Sequence, residues 1–265
     1  MAKIKNDKYY TPPELAKYVV NKAKEVVGEK NITEWLEPSA GSGVFLDYLP
    51  EGTLAYDIEP EDDKGRVVKQ DYLGLDVKYK MGRCVIGNPP FGDRCNLYRK
   101  FYNKSVEIAD YIVFISPIRL LNNTKQNYKF DLIYSEDLKI HTYSDIELHC
   151  CLNIYKRPYS GLNKQKSNKI DGINIYREDE KIYSEIKEDF KICRMGASLG
   201  KVNKDVRSFK IVVDKSKYNA NYIINILNEF DYSKFKTIST PYIVKSDIYD
   251  ILHNKLNYKN NKKEE

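Results

Sequence analysis

The sequence predicts an α/β fold in which a doubly wound parallel sheet precedes a small α+β domain. Short apolar runs alternate with stretches of helical spacing over the first 156 residues, which is the pattern of a parallel sheet covered by helices. A polar stretch from Lys156 to Lys169 then interrupts this pattern. With 265 residues, 42% of them hydrophobic, the chain can bury one substantial core and a smaller second one. We therefore predict domains at 1–156 and 157–265.

The first predicted helix follows the N-terminal residues. Leu15, Val19, Ala23 and Val26 continue one apolar helical face. Thr11 and Glu14 have the spacing of a capping box, with Pro12 at the first helical position. We expect this cap to form, and the capped helix can also place Tyr10 and Thr11 over a ligand.

Four polar residues each end a short apolar run, and we predict that they converge. Glu37 follows Ile32–Leu36, Asp57 follows Thr53–Tyr56, and Asp71 and Asn88 end the next two runs. The carboxyl ends of parallel strands form one edge of the sheet, where ligands bind. A single Asp at the end of a strand is common, because Asp favours turns. The prediction therefore depends on all four polar residues occupying equivalent positions at strand ends.

A glycine-containing loop follows the first strand and is a candidate cofactor site. The run is Glu37, Pro38, Ser39, Ala40, Gly41, Ser42 and Gly43, and a helix is predicted to start at Val44. Glycines let the backbone approach a ligand closely. The third glycine of the dinucleotide fingerprint is replaced by Leu46, which disfavours a pyrophosphate site. A pair of glycines alone is also compatible with an ordinary turn.

The residues Asn88, Pro89, Pro90 and Phe91 directly follow the apolar run Cys84–Gly87 and are the candidate catalytic residues. An exocyclic amine on an aromatic ring is a poor nucleophile, because its lone pair is delocalised. The Asn88 side-chain oxygen and the Pro89 carbonyl can together draw its protons out of plane, and Phe91 offers a face for stacking. A neutral amide cannot accept the proton, so this chemistry indicates direct attack on a methyl sulfonium. Asn-Pro-Pro can also be a simple turn.

The charge distribution indicates an anionic partner for the C-terminal part. Residues 151–265 hold 23 Lys and Arg against 15 Asp and Glu, a net charge of +8, whereas residues 1–150 have a net charge of −2. Such an excess would neutralise phosphates, although it is also compatible with a solvated face or with an AT-biased genome. The candidate nucleic-acid contacts are Arg94, Arg194, Lys201, Lys204 and Arg207.

The remaining features set expectations about location and metals. No apolar stretch has the length of a membrane span, and Met1–Lys8 is polar without a signal-peptide pattern. We therefore expect a soluble, cytoplasmic monomer with no membrane partner. The five cysteines lack zinc spacing, and their odd number argues against a disulfide framework, so no metal is expected.

The motif order resembles that of S-adenosylmethionine-dependent DNA N6-adenine methyltransferases of the gamma arrangement. Tyr10-Thr11-Pro12 is similar to their YTP motif, and the loop at 37–45, Asp57, Asp71-Tyr72 and the NPPF motif at 88–91 follow in the same order. The resemblance spans about residues 9–156. It implies a Rossmann-like methyltransferase sheet with S-adenosyl-L-methionine as cofactor. The implied contacts are Tyr10, Thr11, Pro12, Glu37, Pro38, Ser39, Ala40, Gly41, Gly43, Asp57, Ile58, Asp71, Tyr72 and Asn88.

The resemblance further implies base flipping and adenine methylation of double-stranded DNA, as in restriction-modification. RNA is the alternative acceptor, because NPPF loops also occur in RNA methyltransferases. Glutamine in a protein is a third, and a catalytically inactive nucleic-acid-binding subunit a fourth. One departure concerns the aromatic residue expected near Leu152. Tyr143, His149 or Tyr155 would replace it, or Phe91 would hold the base with an aliphatic contact; His149 is also compatible with an ordinary core or surface role.

Overall fold

A computed structural model describes residues 9–143, 146–165, 167–203, 207–235 and 240–261. The chain divides into two compact units, unit 1 at Met1–Gln165 and unit 2 at Lys166–Glu265. Residues just after 157 belong to unit 1 because they hydrogen-bond with it. The backbone N–H of Arg157 donates to Asp110 O at 2.8 Å, and that of Asn163 donates to Lys129 O at 3.0 Å.

Unit 1 contains a seven-stranded sheet in the order β3-β2-β1-β4-β5-β7-β6. Strands β1 to β5 pair in parallel, and β7 runs antiparallel to both of its neighbours. The strands are β1 (Glu34–Glu37), β2 (Leu54–Asp57), β3 (Val68–Lys69), β4 (Arg83–Gly87), β5 (Tyr111–Pro117), β6 (Asp131–Tyr143) and β7 (Ile146–Lys156).

Both faces of this sheet are buried, as a doubly wound fold requires. Helix α1 (Pro13–Ala23) covers one face and packs with Cys84 and Ile86, and helix α2 (Asn96–Ile108) covers the other and packs with Val85. Successive residues of β4 and β5 therefore alternate between two apolar layers, because side chains in a strand point to opposite faces. The α/β fold is confirmed.

Two local predictions in unit 1 are wrong. Helix α1 starts at Pro13 with Pro12 as its N-cap, and no side chain caps it. The hydroxyl of Thr11 is used elsewhere, so the predicted capping box does not form. The helix predicted from Val44 is only a single 3-10 turn at Phe45–Asp47. Leu46 and Tyr48 pack on the apolar layer under α1 after that turn, and the chain then leads directly into β2.

Unit 2 is a small α+β fold with its own core. Its strands are β8 (Ile173–Tyr176), β9 (Phe190–Cys193) and β10 (Ser208–Val213), which form an antiparallel sheet in the order β8-β10-β9. Helices α3 (Ala220–Glu229) and α4 (Lys245–Asn261) follow. Ile223, Ile226 and Leu227 of α3 are buried in the core of this unit. Throughout the ranges that the structure describes, no helix combines the length and the apolarity needed to cross a bilayer.

Candidate active site at the carboxyl edge of the sheet

The glycine loop turns sharply at the carboxyl end of β1. The N–H of Gly43 donates to Ala40 O at 2.7 Å, and the N–H of Ala40 donates to Tyr56 O at 3.0 Å. Gly41 has φ +53° and Gly43 has φ +77°, conformations that side chains with a Cβ rarely adopt. The loop is thereby tied to β2 as well as to β1.

Asp57, at the end of β2, anchors this loop. Its Oδ2 accepts a hydrogen bond from the Gly41 N–H, and its Oδ1 accepts one from the Glu59 N–H, both at 2.8 Å. The N–H of Glu61 also donates to Gly41 O at 2.9 Å. A carboxylate offers about four lone-pair sites, so Asp57 can still accept hydrogen bonds from a ligand.

An ion-pair network that sequence reasoning missed supports the loop from behind. Arg66 Nη2 donates to Asp62 Oδ1 at 2.8 Å and to the carbonyl oxygen of Gly43 at 3.3 Å. Its Nη1 reaches Asp47 Oδ1 at 2.8 Å. The hydrogen bond from the Arg66 side chain, with others from the Arg66 and Lys64 backbone, lowers the pKa of Asp62 below its ordinary value. A Cβ on Gly43 would lie 2.8 Å from Arg66 Nη2, so a side chain there would displace the Arg66 guanidinium from its present place.

Glu37 is the most unusual group of the site, because its carboxylate is buried without full compensation. The residue is 1% exposed, and within the described residues its Oε2 has no hydrogen-bond partner. Burial, and then the negative charge of Asp57, raises the pKa of Glu37 well above its ordinary value. A buried, incompletely paired carboxyl at a ligand edge is suited to a cationic group.

Asn88 joins three sequence motifs. Ser39 Oγ of the glycine loop donates to the backbone oxygen of Asn88 at 3.4 Å. The side chain of Asn88 turns towards the N-terminal segment, where its Nδ2 donates to Thr11 Oγ1 at 3.2 Å and to Tyr9 O at 3.4 Å. Thr11 is 6% exposed and uses its hydroxyl here, which is why it does not cap α1.

Tyr10 covers the glycine loop. Its ring carbon Cε1 lies 3.7 Å from the position that a Cβ on Gly41 would occupy. Its hydroxyl donates to Glu61 Oε2, and Glu61 is itself bonded to Gly41 through the backbone. The ring is 36% exposed, so it forms an accessible aromatic wall beside the loop.

The rest of the NPPF motif leads into a strained turn. Pro89 is buried and Pro90 and Phe91 are half-buried. The Phe91 ring meets Tyr98 edge-on, with ring centroids 6.3 Å apart. Gly92, Arg94 and Cys95 follow with φ of 68°, 50° and 60°. Left-handed non-glycine residues cost about 1–3 kcal/mol each and concentrate at functional sites. Arg94 lies at the surface here, with its side chain 50% exposed.

The structure separates Asp71 from Tyr72. Asp71 is exposed and accepts a hydrogen bond from the Leu73 N–H at 2.9 Å, whereas Tyr72 is 1% exposed and its hydroxyl bonds with Ser105 Oγ at 2.8 Å. The Tyr72 ring packs under α2 against Phe101, so little of it is accessible, and the cofactor contact expected for Tyr72 stays a prediction. Ile58, at 51% exposure, is accessible beside Asp57.

The candidates for a second stacking aromatic differ in their exposure. Tyr143 and Tyr155 are both 0% exposed, in opposite apolar layers, and Leu152 is fully buried between them in β7. His149 lies on the outer part of β7 and bonds with Asp137 at 2.7 Å. Of these three aromatic side chains, His149 is the exposed one, so His149 and Phe91 stay the candidates for holding the base.

The nucleic-acid candidates of unit 2 differ in accessibility. The Arg194 side chain is only 15% exposed, is ion-paired with Glu178, and has its Cζ 6.0 Å from the Phe209 ring centroid. Little of it is accessible, and its nucleic-acid contact stays a prediction. Lys201 and Arg207 are exposed. Lys204 lies outside the described residues. Across the described ranges, no cluster of three or more His, Cys, Asp or Glu side chains could hold a metal ion, and all five cysteines are free and buried.

No protein-family model matches the sequence, and no curated protein matches it. Among solved structures, a protein of Pyrococcus horikoshii described as a candidate RNA methyltransferase is 19% identical, with a TM-score of 0.47 over 59% of this chain and 90% of that one. A candidate class I S-adenosylmethionine-dependent methyltransferase of Listeria monocytogenes is 13% identical, with a TM-score of 0.47 over 62% and 65%. The tRNA m1G37 methyltransferase of M. jannaschii is 20% identical, with a TM-score of 0.40 over 60% of this chain and 52% of that one.

Proposed function

We propose that this chain is a methyltransferase that uses S-adenosyl-L-methionine to methylate the exocyclic N6 amino group of adenine in double-stranded DNA. The observation that carries the proposal is the setting of Asn88. Its amide nitrogen faces Thr11 and Tyr9, so the side-chain oxygen faces the opposite way, and its backbone is tied to the glycine loop through Ser39.

Two acceptor oxygens are available next to each other in the NPPF motif. Among the described residues, neither Asn88 Oδ1 nor the carbonyl oxygen of Pro89 accepts a hydrogen bond. Together they can accept both protons of one amino group and favour a pyramidal nitrogen whose lone pair is free. Because a neutral carboxamide does not take up the proton, the methylated amine leaves the acceptors as a cation and loses its proton to water.

The glycine loop fits a cofactor that carries both positive charge and hydroxyl groups. When bound, S-adenosylmethionine supplies a methyl group activated on a sulfonium. Glu37 would hold its ammonium group, Asp57 its ribose hydroxyls and Asp71 the amino group of its adenine. Tyr10 would cover it beside Gly41. The resemblance also implies a cofactor contact for Thr11. Because its hydroxyl already accepts a hydrogen bond from Asn88, we assign that contact to the rest of the residue, which a change to valine keeps.

The choice of DNA rests on motif order and on charge. The YTP segment precedes the glycine loop, and residues 151–265 carry a net charge of +8. A basic C-terminal part can neutralise phosphates of either nucleic acid, so RNA is the rival acceptor. The inactive-subunit alternative is disfavoured because Asn88, both loop glycines and the three acidic strand ends are all present.

A labelled-methyl assay tests the proposal directly. The full chain is incubated with S-adenosylmethionine carrying a labelled methyl group, in separate reactions with duplex DNA and with RNA pools. We expect label in DNA, and digestion of that DNA to nucleosides should yield labelled N6-methyldeoxyadenosine. Label in RNA alone would reassign the acceptor, and label in neither pool would reject the proposed reaction.

The Asn88→Ala variant tests the residue that carries the proposal. We expect turnover to fall by about 100-fold or more, as when one group that stabilises developing charge is removed. Cofactor affinity should stay within a few-fold of the wild type, measured by calorimetry. Asn103→Ala is the matched control, because Asn103 is exposed on α2. Wild-type turnover in Asn88→Ala would show that this carboxamide has no catalytic role.

A further inference from the structure

The carboxamide of Asn88 has two chemically different ends, and only one of them suits the proposed reaction. The oxygen accepts hydrogen bonds from an amino group, whereas the NH2 end would oppose that amino group donor to donor. The two ends have nearly the same shape, so packing alone does not choose between them. The choice must come from the polar groups that contact the amide on its other side.

Tyr9 and Thr11 supply those groups. The backbone carbonyl of Tyr9, 3.4 Å from Asn88 Nδ2, can only accept a hydrogen bond. In a flipped amide it would face the Asn88 oxygen, leaving two acceptors opposed in a half-buried place. The Thr11 hydroxyl, 3.2 Å from Asn88 Nδ2, can accept or donate, so it can bond with either end of the amide. When the NH2 end faces the segment, it donates to both Thr11 and Tyr9, which gives two hydrogen bonds instead of one.

The segment that carries these groups is held in place by helix α1. Thr11 precedes Pro12, which restricts it to extended backbone, and Pro12 itself has φ −57° and ψ 139°. The carbonyl of Pro12 accepts the first helical bond from the Ala16 N–H at 3.0 Å. Ala16 is 0% exposed in the core, so the helix anchors the segment against the sheet.

We infer that the segment Tyr9–Thr11 fixes the orientation of the Asn88 carboxamide: the Tyr9 carbonyl selects the nitrogen end, and the Thr11 hydroxyl, as a second acceptor, holds that end in place. Thr11 is therefore a positioning residue for methyl transfer. The inference rests on the proposed function, because only that reaction gives the amide orientation a consequence. In this inference the Thr11 hydroxyl acts on the binding of the adenine amino group that receives the methyl group. It does not need Thr11 to contact the cofactor.

Kinetics of two Thr11 variants test the assignment. Thr11→Val keeps the shape and removes the hydroxyl, and we expect kcat to fall roughly 2- to 10-fold while the Kd for S-adenosylmethionine is unchanged. Thr11→Ser restores the hydroxyl and should return kcat to within a factor of about two of the wild type. Thr53→Val is the matched control, since Thr53 Oγ1 bonds with Pro50 O in a turn of unit 1.

Nuclear magnetic resonance supplies a readout that needs no turnover. In protein with nitrogen-15 asparagine, the side-chain NH2 signals of Asn88 are those absent from Asn88→Ala. We expect their exchange with water to be slowed in the wild type and in Thr11→Ser, and faster in Thr11→Val. Melting temperatures of all variants show whether each is folded.

The outcomes separate this inference from the proposed function. If the wild type transfers methyl but Thr11→Val keeps its kcat and its Asn88 exchange rate, the inference is wrong and the function stands. A raised Kd for the cofactor with unchanged kcat would make Thr11 a cofactor contact and would also overturn it. If no nucleic acid is methylated, the proposed function fails, while the exchange rates still decide whether Thr11 holds the amide.

Discussion

Replacing Glu37 by glutamine should stabilise unit 1 and at the same time weaken cofactor binding. The carboxyl of Glu37 is 1% exposed, its Oε2 has no hydrogen-bond partner within the described residues, and Asp57 is a nearby negative charge. Burial and this charge raise its pKa, so ionising Glu37 opposes folding. Glutamine has almost the same volume, carries no charge and adds a donor that can face Asp57.

The magnitude follows from the orphaned oxygen and the sign follows from the raised pKa. A buried polar group without a partner costs about 1–3 kcal/mol, more when it is charged, so Glu37→Gln should raise the free energy of unfolding by at least that amount at neutral pH. Stability from protonated Glu37 is present below the ordinary glutamate pKa and is lost as pH rises through the raised pKa of the folded state. The advantage of the variant should therefore grow with pH.

The single tryptophan makes this measurable in the relevant unit. Trp35 lies in β1, two residues before Glu37, and is 6% exposed in the core of unit 1, so its fluorescence reports the unfolding of that unit. Urea titrations at about pH 5 and about pH 8 give the two free energies, and Tm should shift roughly 2–4 °C for each kcal/mol. Glu51→Gln is the matched control, because Glu51 is exposed.

Two results would refute this reasoning. A Glu37→Gln variant less stable than the wild type at about pH 8 would mean that the carboxylate is compensated in the folded protein. An advantage independent of pH would mean that Glu37 does not titrate with a raised pKa. The effect on cofactor binding is measured separately by calorimetry. Because Glu37→Gln loses a charged hydrogen bond, the Kd for S-adenosylmethionine should rise by roughly 10-fold or more.

Three further predictions concern the loop, its cover and the basic unit. Gly43→Ala should lower the free energy of unfolding in urea by about 1–3 kcal/mol more than Gly52→Ala. Both glycines have positive φ, but only a Cβ at Gly43 would meet Arg66, at 2.8 Å. Equal losses would show that Arg66 moves aside at no cost. Tyr10→Phe should change the cofactor Kd less than about threefold, whereas Tyr10→Ala should raise it roughly 10-fold because the ring is removed. Calorimetry measures both Kd values, and equal values would show that the Tyr10 ring does not contact the cofactor. Lys201→Ala should reduce the salt dependence of duplex binding by about one counterion; an unchanged slope in fluorescence titrations would place Lys201 off the phosphates.

Much of the fold could be predicted because it is written in local patterns. The apolar run before Asn88 became β4, and Glu37 and Asp57 each end a strand of the parallel part of the sheet. The capping box could not be read correctly, since a threonine before a proline can cap a helix or serve a distant partner. The pattern is the same in both cases.

The sequence by itself determined the strands that end before the polar residues at 37, 57 and 88, the glycine loop, the NPPF motif and their order along the chain. Only the tertiary structure decided which side chains meet: Thr11 with Asn88, Arg66 with the carbonyl of Gly43, and Tyr72 with Ser105 in the core. The physical reason is that periodicity records which residues face the core, whereas a hydrogen bond between segments 23 to 77 residues apart depends on how the chain returns to the same edge. The Asn88 amide is oriented in this way, because the chain brings Thr11 and Asn88 to the same edge of the sheet.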